Sequence, residues 1–253
     1  MRRGDVAVLS ISSALAAVVV AAVTYGVTVL DRTPNPSAMV SDDGAASWLV
    51  LTWAPSFCTV EPGNAACESG EAENAGQTLV LHGLWPQPPD RQYCGLPKDL
   101  RDRESELPPV ELSADVRDRL RSTTVDTAAL VPHEWYTHGT CAGVSPDDYF
   151  NDAAAMTEEM RKALDPVFRD AAGGRLTLAA VRERVDAAFG AGAGERVGLG
   201  CRTGAGTGAV VVDVRLSLPP VVALRDAGGA VSLADALHEG PPMIAQCRHG
   251  SLP

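Results

Sequence analysis

The sequence predicts an α+β domain in which a mainly antiparallel sheet packs with several helices and is cross-linked by disulfide bonds. Three observations carry that expectation. Strand-like apolar runs come first, helical patterns follow, and strand-like runs return near the end, an order that suits helices laid against one sheet. Six cysteines (Cys58, Cys67, Cys94, Cys141, Cys201 and Cys247) are even in number and contain no C-x-x-C pair, which suggests disulfides in an oxidising compartment. A composition of 45% hydrophobic residues over 253 positions is ordinary for a globular chain and excludes a disordered protein or a fibrous rod. Charge excludes more: Asp+Glu 32 outnumber Lys+Arg 21 for a net charge of −11, so nucleic acid is not held through bulk positive charge. A local cleft on an acidic protein stays open.

The chain begins with Arg2 and Arg3 before an uncharged stretch from Val6 to Leu30, long enough to cross a bilayer at about 1.5 Å per residue. Residues 1–30 read as a signal anchor or a signal peptide. The run is longer than the roughly 7–15 apolar residues of a cleaved signal, and Ala22-Val23-Thr24 is a poor cleavage site. Either way the rest is exported, so the domain is expected outside the cell, secreted or tethered to the outer face of the plasma membrane through residues 6–30. Residues 31–47, with Pro34, Pro36 and small polar residues, make a flexible linker. The folded domain is expected over residues 48–253.

Within it, Trp48 to Trp53 reads as a strand ended by Pro55, Glu61 to Gly76 as a loop, and Thr78 to His82 as a strand stopped by Gly83 and Pro86. Leu112, Val116 and Leu120 form the apolar stripe of a helix over Glu111–Arg121. Pro132 suits the first turn of a helix running through Trp135 and His138 to about Cys141. Ser145 followed by Pro146, Asp147 and Asp148 is a cap with a proline and acids in the first turn, and predicts a helix to about Leu164. Thr177 caps another over Leu178–Phe189, and Ala209–Leu218 and Val221–Leu224 return to strand character.

Two short segments concentrate the chemistry. One is Leu81-His82-Gly83-Leu84-Trp85-Pro86, the other His133-Glu134-Trp135-Tyr136-Thr137-His138-Gly139-Thr140-Cys141. They hold three of the five histidines and a carboxylate. Helical spacing lets Glu134 touch His138, with His133 beside them. Two imidazoles on opposite sides of a reacting bond can take a proton from one oxygen and give one to another near neutral or mildly acid pH. Transphosphorylation of RNA needs that arrangement, and a carboxylate beside one imidazole would orient it and favour its charged form. A zinc site of the His-Glu helix type fails on spacing, since His133 and His138 lie at i and i+5, about 140° apart around a helix. No metal and no cofactor is expected.

The two segments resemble the hallmarks of the T2 family of secreted acid ribonucleases, His-Gly-Leu-Trp-Pro and His-Glu-Trp-x-Lys-His-Gly-Thr-Cys. The first is matched throughout and the second at all but one specified position. The resemblance spans roughly Trp48 to Cys247. It implies that His82 and His138 are the acid–base pair, with His138 the base and His82 the acid. It further implies that Glu134 polarises the phosphate or positions His138, that His133 binds phosphate, and that Trp85 stacks on a base. Gln87 lies where some relatives carry an acid that recognises the base, which leaves base preference open. Sequence alone allows 15 cysteine pairings; the family pattern suggests Cys94 with Cys141, Cys201 with Cys247 and, by remainder, Cys58 with Cys67.

The departure is Thr137, where the family has a lysine that stabilises the transition state. Its loss could cost on the order of 10²–10³ in rate unless Arg91, Lys98 or Arg202 substitutes. The expected activity is metal-independent cleavage of single-stranded RNA by a monomer through a 2′,3′-cyclic phosphate. DNA resists, because the 2′-hydroxyl is the nucleophile. The alternative is a catalytically impaired T2-like fold serving as an extracellular binding or interaction module. Trp135 is expected in the core, Tyr136 at the surface or lining the cleft, and His238 and His249 in structural roles.

Overall fold

The computed structural model describes residues 46–253 apart from 102, 104, 105, 205–207 and 227–228. All of these belong to one unit of the chain, Asn35–Pro253. The signal segment with its candidate membrane span over residues 6–30, and the linker up to residue 45, lie outside the described residues. Among the described residues no helix is long and apolar enough to cross a membrane.

The sheet starts from a two-residue period. In β1 (Ser47–Trp53), Leu49, Leu51 and Trp53 are buried in the main core, so Trp48, Val50 and Thr52 point to the opposite face. β1 pairs antiparallel with β2 (Leu79–Pro86) on one side and with β5 (Gly208–Leu218) on the other. β5 also pairs antiparallel with β4 (Val197–Gly204) and meets β8 (His249–Leu252), its one parallel neighbour, at Val210. β3 (Gly174–Thr177) completes the sheet beside β8, giving the order β2-β1-β5-β8-β3 with β4 on β5. β6 (Arg225–Asp226) and β7 (Gly229–Ala230) form a separate small ribbon. The α+β class and the mainly antiparallel sheet are as the sequence predicts.

Helices cover the apolar face. α6 (Pro146–Ala171) is capped by Ser145, whose hydroxyl accepts the Asp148 N–H at 3.1 Å, and buries Tyr149, Phe150, Ala153, Met156, Met160, Leu164 and Phe168 along one stripe. Phe168 packs on Trp53 with centroids 5.1 Å apart. α4 (Ala114–Thr123) lies beside α6, and Arg161 of α6 ties both to β2 by donating to the carbonyls of Leu79, Ser122 and Thr123. α7 (Leu178–Phe189) starts at Thr177, which accepts from Ala180 N–H, and α8 (Leu233–Glu239) follows the ribbon. The cysteines pair as the family pattern implies: Cys58 with Cys67, Cys94 with Cys141 and Cys201 with Cys247.

Several boundaries differ from expectation. β2 does not stop at Gly83 but continues through Pro86, because β1 supplies a pairing partner as far as Ser47. The segment after Glu61 is not a plain loop. With α1 (Ala54–Val60) it folds into α2 (Ala65–Glu68) and α3 (Glu71–Ala75), two short turns held by the Cys58–Cys67 bond. α5 (Thr127–Thr137) begins five residues before Pro132, because the Asp126 carboxylate accepts from the N–H groups of both Ala128 and Ala129 and fixes the start there. α6 passes Leu164 and Pro166 because its buried stripe continues to Phe168. Val221–Leu224 is a 3₁₀ turn, since Pro219 and Pro220 remove the N–H groups a strand would need.

One buried bond fastens α6 to the strand that carries the first motif: the hydroxyl of Tyr149, fully buried, donates to the Leu84 carbonyl at 2.6 Å. Replacing it by Tyr149→Phe should lower the unfolding free energy by about 1–3 kcal/mol, the cost of a buried acceptor losing its partner. Urea unfolding of the oxidised protein checks this, and an unchanged midpoint would show that the bond is not needed.

Candidate active site

The first motif enters the site through an irregularity of the sheet. Val50 pairs with Gly83 and Leu51 with Leu81, so His82 is the extra residue of a β-bulge, a device that re-aims a side chain. Its ring is half-buried, and Nδ1 lies 3.1 Å from the Thr52 hydroxyl on β1. Past the bulge, Leu84 faces the core and Trp85, paired with Trp48, faces the other side.

The second motif arrives on the last turns of α5. Glu134 is 1% exposed and accepts a hydrogen bond from the Trp85 indole N–H at 2.9 Å. That bond passes over Gly83, where any Cβ would overlap both the Glu134 carboxyl and the indole nitrogen. His138 caps α5, its backbone N–H reaching the Glu134 carbonyl at 3.0 Å while φ −120 and ψ −49 turn its ring out of the helical path. The ring stacks on Trp85 with centroids 5.2 Å apart and planes 28° apart. His82 meets the same indole edge-on, also at 5.2 Å. One indole therefore stands against both imidazoles.

The electrostatics follow from burial. Desolvation raises the Glu134 carboxyl to about 8 against the opposing pull of the Trp85 bond, so it is protonated at neutral pH. The neutral carboxyl makes its hydrogen bond with the Trp85 indole. His138 is lowered to about 4 by burial, then by the nearby charges of His133 and His82. Burial likewise lowers His82, with Asp213 opposing and His133, Arg202 and Arg215 adding to the fall. His133 is exposed, and its charge is felt by both other histidines.

The remaining expected residues are placed as follows. Gln87 is buried and its amide nitrogen donates to the Trp85 carbonyl at 3.2 Å, turned toward the backbone. Thr137 is 5% exposed, its hydroxyl oxygen has no hydrogen-bond partner, and its carbonyl accepts from Tyr93 of the loop tied down by the Cys94–Cys141 bond. All three candidate substitute cations are exposed, and Arg202, paired with Glu61, is the one whose charge bears on His82. Trp135 packs edge-on to Tyr149 on the core side, and Tyr136 donates to the Pro108 carbonyl. His238 and His249 lie elsewhere, against the Phe189 carbonyl and Arg175. Among the described residues no group of three or more His, Cys, Asp or Glu side chains is disposed to hold a metal.

Beside the histidines opens a cavity of about 340 Å³, with His82, His133 and Glu134 on one wall and Phe57, Val125 and Leu130 among its apolar lining. Sequence reasoning missed Thr52 and Asp213 behind His82. The available signal was a polar residue on the strand face opposite Leu49, Leu51 and Trp53, and an aspartate directly after the valines at 210–212.

A family model described as the Ribonuclease T2 family matches residues 45–218. The chain belongs to the ribonuclease T2 family. It is 28% identical over 120 residues to a ribonuclease of Aeromonas hydrophila, covering 44% of each chain, so it spans less than half of that relative. It is 27% identical over 171 residues to ribonuclease MC of Momordica charantia, covering 62% of this chain and 78% of that one. A solved structure of a single-site RNase MC1 variant in complex with 5′-UMP matches with TM-score 0.51 and 25% identity over 70% of this chain and 88% of that one.

The raised Glu134 pKa has a consequence for stability. A carboxyl whose folded value of about 8 exceeds its ordinary 4.5 stabilises the fold below 4.5 and loses that contribution as pH rises toward 8. Glu134→Gln, which cannot ionise, should therefore gain stability relative to the parent as pH rises through that window, by at most about 1.4 kcal/mol per pH unit. Unfolding curves across pH check the slope; parallel curves would show that Glu134 ionises normally.

Proposed function

We propose that this ribonuclease T2 family member cuts single-stranded RNA without a metal, by transphosphorylation through a 2′,3′-cyclic phosphate. The observation that carries the reading is the pair of imidazoles, His82 and His138, each 5.2 Å from the Trp85 ring. His138, lowered to about 4, is neutral in mild acid and takes the proton of the ribose 2′-hydroxyl. The 2′-oxygen attacks phosphorus, the bond to the 5′-oxygen breaks, and His82 delivers a proton to that leaving oxygen. DNA lacks the nucleophile and is left intact.

The other residues fit supporting roles. Protonated Glu134 donates to a non-bridging phosphate oxygen, so the site avoids setting a second negative charge against the phosphate. His133, exposed beside the pair, is placed to contact the phosphate, and its charge acts on both His82 and His138. The apolar cavity beside them receives a base, and the half-exposed Trp85 ring gives a stacking surface worth about 1–3 kcal/mol. The 5′-UMP in the RNase MC1 variant supports a nucleotide ligand at this fold. Three disulfide bonds fit an exported protein. Thr137 brings no charge to the transition state, and among the arginines Arg202 has the largest effect on His82.

The test is the pH profile of kcat/KM together with two variants. The free-enzyme profile should be a bell with its acid limb near 4, set by His138, and its maximum below the ordinary imidazole value of 6.5, since His82 is also lowered. His82→Ala and His138→Ala should each cost about 10²–10⁴-fold, the usual worth of a general acid or base. Full activity in both variants would overturn the assignment. Retention of RNA by an inactive parent protein would favour the binding-module alternative.

A further inference from the structure

We propose that Thr52 and Asp213 are positioning residues for His82, holding its imidazole in the Nδ1–H form so that Nε2 is the nitrogen that exchanges protons with RNA. The proposal rests on the reading of His82 as an acid–base group.

The hydrogen-bond inventory sets the direction. A threonine hydroxyl has one proton to give, and Thr52 gives it to the Asp213 carboxylate at 2.8 Å. The same oxygen lies 3.1 Å from His82 Nδ1, so it can only accept there, and Nδ1 must carry the proton. A neutral imidazole holds one N–H, which leaves the lone pair on Nε2. Three groups thus form one line of hydrogen bonds: the imidazole donates to the hydroxyl, and the hydroxyl donates to the carboxylate.

The sheet builds that line. Thr52 and Asp213 face each other directly across the β1–β5 pairing, each 6% exposed, and His82 reaches them from the bulge of β2. Arg215 lies 3.7 Å from the far oxygen of Asp213. On the next strand the residue opposite Asp213 is Gly200. A Cβ there would stand 3.0 Å from the Asp213 Cβ, 3.2 Å from its Oδ2 and 3.4 Å from Arg215 Nε, so glycine leaves the room the pair occupies. Of the charged groups facing His82, namely Asp213, His133, Arg202 and Arg215, Asp213 alone favours the imidazolium. A carboxylate that acts through an oriented neighbour is how histidines are held for proton transfer in other hydrolytic sites.

Two measurements on the full-length, disulfide-bonded chain test the proposal. In ¹⁵N-histidine NMR above the titration of His82, Nδ1 should resonate as the protonated nitrogen and Nε2 as the unprotonated one; the reverse overturns the relay without any mutation. In kinetics, Thr52→Val should lower kcat about 10- to 100-fold with KM changed less than about twofold, as expected for losing a hydrogen bond to a charged group. Thr52→Ser, which keeps the hydroxyl, should recover most of that loss. Asp213→Asn should move the alkaline limb of the kcat/KM profile to lower pH. An unchanged kcat in Thr52→Val, or a serine variant no better than valine, contradicts the positioning role. Undiminished activity in His82→Ala would instead sink the acid–base reading, while the NMR result still decides whether Thr52 and Asp213 hold the ring.

Discussion

The hydrogen bond from the Trp85 indole to the Glu134 carboxyl joins two motifs that lie 49 residues apart, one on a strand and one on a helix. It requires glycine at position 83, because any side chain there would occupy the space of the bond itself. It also fixes the indole against which both imidazoles rest. Burying Glu134 in this way keeps its carboxyl protonated, so the site carries a hydrogen-bond donor where the sequence suggests a negative charge. An ionised carboxylate in the same place would have to be paired or exposed to water. The positions of His82, His133 and His138 follow from that single contact and from the two elements it links.

The strands and helices behind this contact explain why the motif spacing works. The bulge at His82 lets β2 present a core leucine at position 84 and, on the opposite face, both His82 and Trp85. α5 ends at His138, so this residue keeps a backbone bond to Glu134 while its ring leaves the helix. The Cys94–Cys141 bond then secures the loop that covers Thr137. Thr137, buried with an unpaired hydroxyl, adds no cation, and the site differs there from the family pattern. Positive charge near His82 comes instead from Arg202 and Arg215 on the sheet.

Much of this was legible in the sequence where local chemistry decides. Ser145 and Thr177 cap the helices they were expected to cap. The catalytic candidates were legible because two compact motifs hold them. What was not legible depends on partners distant in sequence. Pro132 signals a helix start, but the Asp126 cap sets it earlier; Gly83 signals a strand end, but β1 pairs across it. β4, with Gly198, Gly200 and Gly204, has weak strand character of its own and exists because β5 offers an edge. Thr52 and Asp213 are 161 residues apart, and only the strand order brings them together behind His82.

Two imidazoles serve one phosphodiester in this account: one takes the proton of the substrate's own 2′-hydroxyl, and the other protonates the leaving 5′-oxygen. The most direct measurement gives the full-length protein a single-stranded oligoribonucleotide and its 2′-deoxy counterpart, both in excess EDTA at mildly acid pH, and identifies the ends formed. The account predicts that the ribonucleotide is cut to 2′,3′-cyclic phosphate ends and the deoxy strand stays whole. Cutting of the deoxy strand, or cutting of RNA that the chelator abolishes, would contradict it.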